Sequence, residues 1–155
     1  MIYLPYEKLL HEAYQLGIDV YEQPMLPKNK GLYSDNVIWI NKFLHSSIEK
    51  GCVLAEELGH HHTSCGDILD QSKLINRKQE KRARNWAYKR LIPLTSFIDA
   101  HKDGVKNRYE LAFYLGVTEP FIEETLERYK EEFGVFTIVD EYTVYFEPLG
   151  ILEKI

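Results

Sequence analysis

The stretch CVLAEELGHHHTSCGD, Cys52 to Asp67, decides how the rest of the chain is read. It sets Glu56 and Glu57 inside a run of small and apolar residues and follows them with His60, His61 and His62. Upstream, Ser46 or Ser47 is suited to cap a helix whose first turn holds Glu49, so a helix is predicted from there to about Thr63, with Gly66 marking the loop beyond. Helical spacing puts Glu56 and His60 one turn apart on one face, and Glu57, one step round, reaches the edge of the same point. Cys52, Val53, Leu54, Ala55, Leu58 and Gly59 make this helix apolar nearly all round, the pattern of a buried element. Two adjacent carboxylates are costly there unless a cation is at hand. The alternative is a solvated face, with the histidines at a helix C-terminus, where the dipole favours them.

The next helix weighs between these readings. NRKQEKRARNWAYKRLIP, Asn76 to Pro93, predicts a helix over roughly Arg77 to Leu91, stopped by Pro93. From Lys73 to Arg90 it carries eight bases and a single acid, Glu80. Its apolar stripe is Ala83, Ala87 and Leu91 with Trp86 beside it, and three residues back from Ala83 stands Glu80. Glu80 is therefore expected on the buried face, although a solvated pair with Arg84 at i,i+4 is also open to it. A buried carboxylate facing a buried Glu/Glu/His helix predicts a metal site in which Glu56, His60 and Glu80 hold one divalent ion. Three side chains leave a position for water, whose pKa the metal lowers, and Glu57 beside it is placed as the base that moves the proton. A register one residue later, Glu57 with His61, would put Leu58 where the base belongs. His45, His61 and Tyr88 are further polar groups among which spacing does not choose.

Around these two helices the chain divides at about residue 93. Leu9, Leu10, Ala13 and Leu16 before Gly17 predict a helix over 5–16, IDVYEQ a strand, and GLYS and NVIWIN a hairpin about Ser34, Asp35 and Asn36. Residues 1–93 thus read as a core of one helix, a small antiparallel sheet and two site-bearing helices. Residues 94–155 read as shorter helices, LTSFIDAHK, NRYELAFYLG and EPFIEETLERYKEEF, with Thr118 capping the last, and a terminal hairpin from VFTIV and TVYFEP. The fold class expected is α+β.

Composition bounds the partners. The 155 residues are 45% hydrophobic with net charge −5 and well-mixed charges, a globular protein with no call for a membrane or a polyphosphate. ELAFYLGVTEPFIEETLERY has the outline of a helix-turn-helix, but from Thr118 to Phe133 it holds six acids against two bases, unfavourable beside phosphates. Protein binding or packing is the expected role, and nucleic acid is disfavoured. The N-terminus lacks a signal-peptide pattern and no apolar run approaches the ~20 residues that span a bilayer, so the expected location is the cytoplasm. Cys52 and Cys65 are expected as free thiols, and their pairing at a zinc site is a weak signal.

LAEELGHHHT would complete an HExxH motif if position 56 were histidine. With QEKRARNWAYKRLIP and YELAFYLGVTEPFIEETLERY, it resembles the ImmA/IrrE family of metallo-endopeptidases, of the phage and mobile-element type. The resemblance implies a zincin-like core with a helical segment behind it. It also implies metal ligands at the positions of Glu56, His60 and Glu80 and a catalytic base at Glu57. The implied substrate is a protein, a transcriptional repressor. Glu56 departs from the family's histidine: a Glu/His/Glu set cancels the charge of a divalent ion, weakens it as a Lewis acid and admits manganese or iron beside zinc. A non-catalytic relative that binds a repressor-like partner is the alternative.

Overall fold

The structure, a computed structural model, describes residues 4–63 and 73–154. Contacts divide the chain into two compact units, Leu4–Arg90 and Leu91–Ile155.

In the first unit, α1 (Pro5–Gln15) begins on a proline in its first turn, where no amide donor is missed, and buries Pro5, Leu9 and Ala13 at i,i+4 spacing. Gly17, at φ 76°, ends it in the left-handed region, and Ile18 N donates to Ala13 O at 2.9 Å to close the turn. β1 (Asp19–Gln23), β2 (Gly31–Ser34) and β3 (Val37–Asn41) form one sheet in the order β1-β3-β2. The β2–β3 hairpin turns through Asp35 and Asn36, both at positive φ (46° and 63°), the backbone of a two-residue primed turn that aspartate and asparagine tolerate.

β1 pairs with β3 in parallel, so the sheet is mixed where the strand patterns alone suggested an antiparallel one. Alternation within a strand records which face is buried and carries no direction. Direction is set by the connection from Pro24 to Lys30, and Asn41 fastens it. Its amide donates to the carbonyls of Met25 and Leu26, each at 3.3 Å, and Asn29 at 2.9 Å, while its Oδ1 accepts from Phe43 N at 3.1 Å. Asn41 is 3% exposed, so an Asn41→Ala chain leaves these groups without partners. That variant is expected to lose about 2 kcal/mol of stability in urea titrations, in the range for orphaned buried groups; a loss of a few tenths would show that water replaces the side chain.

α2 (Ser47–Thr63) is capped by Ser46, whose Oγ accepts from Glu49 N at 3.1 Å. It packs on α1, β2 and β3. α3 (Lys73–Leu91) is tied back to α1 by Arg90, whose Nε and Nη2 reach Glu12 Oε2 at 3.1 and 2.6 Å. Gly66 and Cys65 lie outside the described residues, whereas Cys52 is buried in α2.

The second unit contains α4 (Leu94–Lys102), α5 (Arg108–Leu115) and α6 (Glu119–Phe133). A reciprocal box starts α5: Asn107 Oδ1 accepts from Glu110 N at 2.9 Å and Glu110 Oε2 from Lys106 N at 2.7 Å. Gly116 at φ 69° ends α5, and Thr118 Oγ1 caps α6 by accepting from Phe121 N at 3.2 Å. β4 (Phe136–Val139) and β5 (Tyr142–Phe146) form the expected hairpin, and β6 (Leu149–Glu153) extends it to a three-stranded antiparallel sheet. The hairpin reading stopped at Pro148, which has no amide proton to give a ladder; pairing resumes just beyond it, from Leu149. Phe97, Tyr129 and Phe146 meet edge-to-face in this unit's core.

Candidate metal centre

The site is built where α2 is most tightly enclosed. Leu54, Ala55 and Leu58 are fully buried, and Glu57 and His60 share their environment at 8% and 7% exposure. Two glycines make this possible. A Cβ on Gly31 of β2 would stand 2.7 Å from Val53 Cγ1 and 3.2 Å from Glu57 Cγ, so β2 lies directly over the Glu57 side chain. A Cβ on Gly59 would meet the carbonyl carbon of Ala83 at 2.8 Å and overlap its oxygen, so α2 and α3 touch backbone to backbone at that level.

That approach brings His60 Nε2 to 3.2 Å from Glu80 Oε1. Two ligands of one tetrahedral zinc, each ~2.0–2.1 Å from it, stand about 3.3 Å apart, so this pair has the spacing of donors that share an ion. Glu80 itself is not on the buried face: its side chain is 50% exposed. On α3, Gln79, Ala83 and Ala87 are 8%, 0% and 0% exposed, so the buried polar residue of this helix is Gln79. Glu80 reaches His60 because the helices are close, not because it is buried.

Glu56 is half-buried one turn before His60, and its charge is felt by both Glu57 and His60. Among the described residues no three His, Cys, Asp or Glu side chains converge on one point. The structure therefore joins two of the three expected ligands, an imidazole and a carboxylate whose chemistry suits a divalent ion. Glu57 Oε2, His60 Nδ1 and Gln79 Oε1 are buried without hydrogen-bond partners.

Electrostatics follow from this enclosure. Burial, chiefly, pushes the Glu57 carboxyl up to about 7, with the charges of Glu80 and Glu56 adding to the rise and His60 opposing it. For His60, burial works against the charged form, but the Glu80 hydrogen bond and the charges of Glu57, Glu80 and Glu56 outweigh it and raise its pKa. Glu80 is lowered by its bond to His60, with help from the charges of His60 and Arg84 and against partial burial. The charges of three carboxylates thus act on one imidazole and favour its protonated form.

Of the other polar groups singled out, His61 stands beside the site: its Nδ1 is 2.8 Å from the Tyr33 hydroxyl on β2, and its ring meets His62 edge-on, which stacks on Trp86. His45 is exposed ahead of α2 and Tyr88 is buried on α3. Tyr33, Gly31, Gly59 and Gln79 escaped the sequence reading. For Gln79, the i,i+4 spacing to Ala83 and Ala87 was a usable signal.

Two helices in backbone contact, one of them packed on a small mixed sheet, make a domain of α+β class that carries a buried glutamate beside an imidazole–carboxylate pair. Residues 4–127 match the sequence model of the IrrE N-terminal-like domain, peptidase family M78, and the chain belongs to that family. Membership implies a divalent metal, typically zinc. A search of curated proteins found no match. No helix among the described residues is long and apolar enough to cross a membrane.

Proposed function

We propose that this chain is a metal-dependent endopeptidase acting in the cytoplasm on a regulatory protein, a transcriptional repressor of the phage or mobile-element type. The observation that carries the reading is Glu57: a carboxylate at 8% exposure with an unpartnered oxygen, on the helix whose next turn places His60 against Glu80. A purely structural helix gains nothing from such a group. His60 and Glu80, with Glu56 as third ligand, would hold the ion. Zinc is the first choice, manganese and iron suit the same oxygen-rich set, and the ion would supply Lewis acidity toward water and the scissile carbonyl.

The chain's own residues do the rest. Glu57, raised into the neutral range by burial, takes a proton from the attacking water and delivers it to the departing amine. β2 over its side chain keeps the carboxyl out of bulk water and holds its rotamer. Metal analysis of protein purified without chelator should find close to one ion per chain, and His60→Ala and Glu80→Gln should each abolish it. Protein that carries none, and takes up none on titration, removes the peptidase reading. A second reading, a non-catalytic relative that binds a repressor-like partner, draws on the carboxylate at position 56 and on the two-donor convergence, and is the one left by that result.

A further inference from the structure

Apart from Arg84, whose charge acts on Glu80, the bases of α3 have no part in the site described above. Arg77, Lys78, Lys81, Arg82, Arg84 and Lys89 are all exposed. With ~100° between successive residues, Arg77, Lys81 and Arg84 form one row and Lys78, Arg82 and Lys89 a second. Together they cover about half of the circumference, opposite the buried Gln79, Ala83 and Ala87 stripe. Arg77, Lys78 and Arg82 meet no carboxylate within ion-pair distance among the described residues. Arg77 with Lys81 and Lys78 with Arg82 are like-charge i,i+4 pairs, which weaken a helix.

The first row abuts the candidate site. Arg84 lies one turn after Glu80, and its charge contributes to holding the Glu80 carboxyl low; Arg77 lies three residues before it. We infer that this row is a docking strip for an acidic segment of the substrate polypeptide, aspartate- and glutamate-rich beside the bond presented to Glu57. Charge complementarity chooses the occupant. Next to the strip stand three carboxylates, Glu56, Glu57 and Glu80, and the chain as a whole carries −5. A phosphate backbone continuing past the strip would set negative charge against that cluster. A peptide offers its neutral backbone there and its acidic side chains to the arginines, whose planar forks match carboxylates. The inference deepens the peptidase reading by naming the charge class of its substrate.

The test uses the full chain with Glu57→Gln, which binds without cutting. Fluorescence anisotropy is followed for a short labelled peptide with glutamates flanking an apolar centre, for its glutamine counterpart and for a short DNA duplex. The acidic peptide is expected to bind about tenfold or more tightly than the neutral one at low salt, with the preference shrinking as salt rises. Adding Arg77→Gln and Arg84→Gln should abolish the preference. No binding of the acidic peptide, equal binding of both peptides, or a preference that survives the arginine changes overturns the inference. Tighter binding of the duplex through the same arginines overturns it in favour of nucleic acid. Because binding is read without cleavage, an acid preference in protein that holds no metal at His60 and Glu80 keeps the strip and removes the peptidase.

Discussion

Alanine at position 59 is expected to destabilise the chain by about 3 kcal/mol, although alanine is the better helix former by ~1 kcal/mol. The two effects have opposite signs, so the measurement decides between them. If Gly59 were incidental, the added methyl would stiffen α2 and stability would rise. The structure argues otherwise, because that methyl would stand 2.8 Å from the Ala83 carbonyl carbon and 2.9 Å from its Cα, with the oxygen closer still. These are backbone atoms of a helix and cannot rotate away, so α3 must move as a body. Such a displacement also lengthens the 3.2 Å approach of Glu80 to His60. Urea unfolding of the Gly59→Ala chain, with metal uptake on the same sample, tests both parts. Increased stability would mean that the helices are not in backbone contact.

Glu57→Gln is expected to separate function from stability. Loss of the base should lower peptide hydrolysis by about 10²–10⁴-fold, the range for general acid–base groups, while bound metal is retained. Retained cleavage of a repressor would remove Glu57 from its role. In chelator-treated protein the same change should raise stability by on the order of 2 kcal/mol at neutral pH, since a glutamine of the same shape carries no charge to desolvate. The carboxylate is 8% exposed and its Oε2 has no partner, so glutamate there costs the fold something that a neutral isostere does not. A Glu57→Gln chain that melts lower than its parent would show that the carboxylate is stabilised by its surroundings, contrary to the burial that raises its pKa.

Much of this was legible locally. The cap at Ser46, the Asp35–Asn36 turn, the Gly17 and Gly116 stops and the cap at Thr118 depend only on residues a few places apart, and each appears where the pattern puts it. Glu57 and His60 lie inward on α2, as the apolar residues around them suggest, whereas Glu56 on the same helix is only half-buried and His62 is exposed. The helix-turn-helix outline appears as α5 and α6, with an acidic second helix.

What the residues determined by themselves, then, is the kind and order of elements and the direction in which each side chain leaves its helix, because both follow from bonds and contacts within one or two turns. Tertiary structure decided three other things. β1 runs parallel to β3, since Asn41 gathers a connection lying 12–16 residues upstream. Gln79, not Glu80, occupies the buried stripe, since the axis about which α3 packs is set by its neighbours. And Glu80 reaches His60 from a half-exposed flank, since Gly59 lets two backbones touch. Distances between elements are fixed by packing among residues far apart in the chain, and no local pattern encodes them.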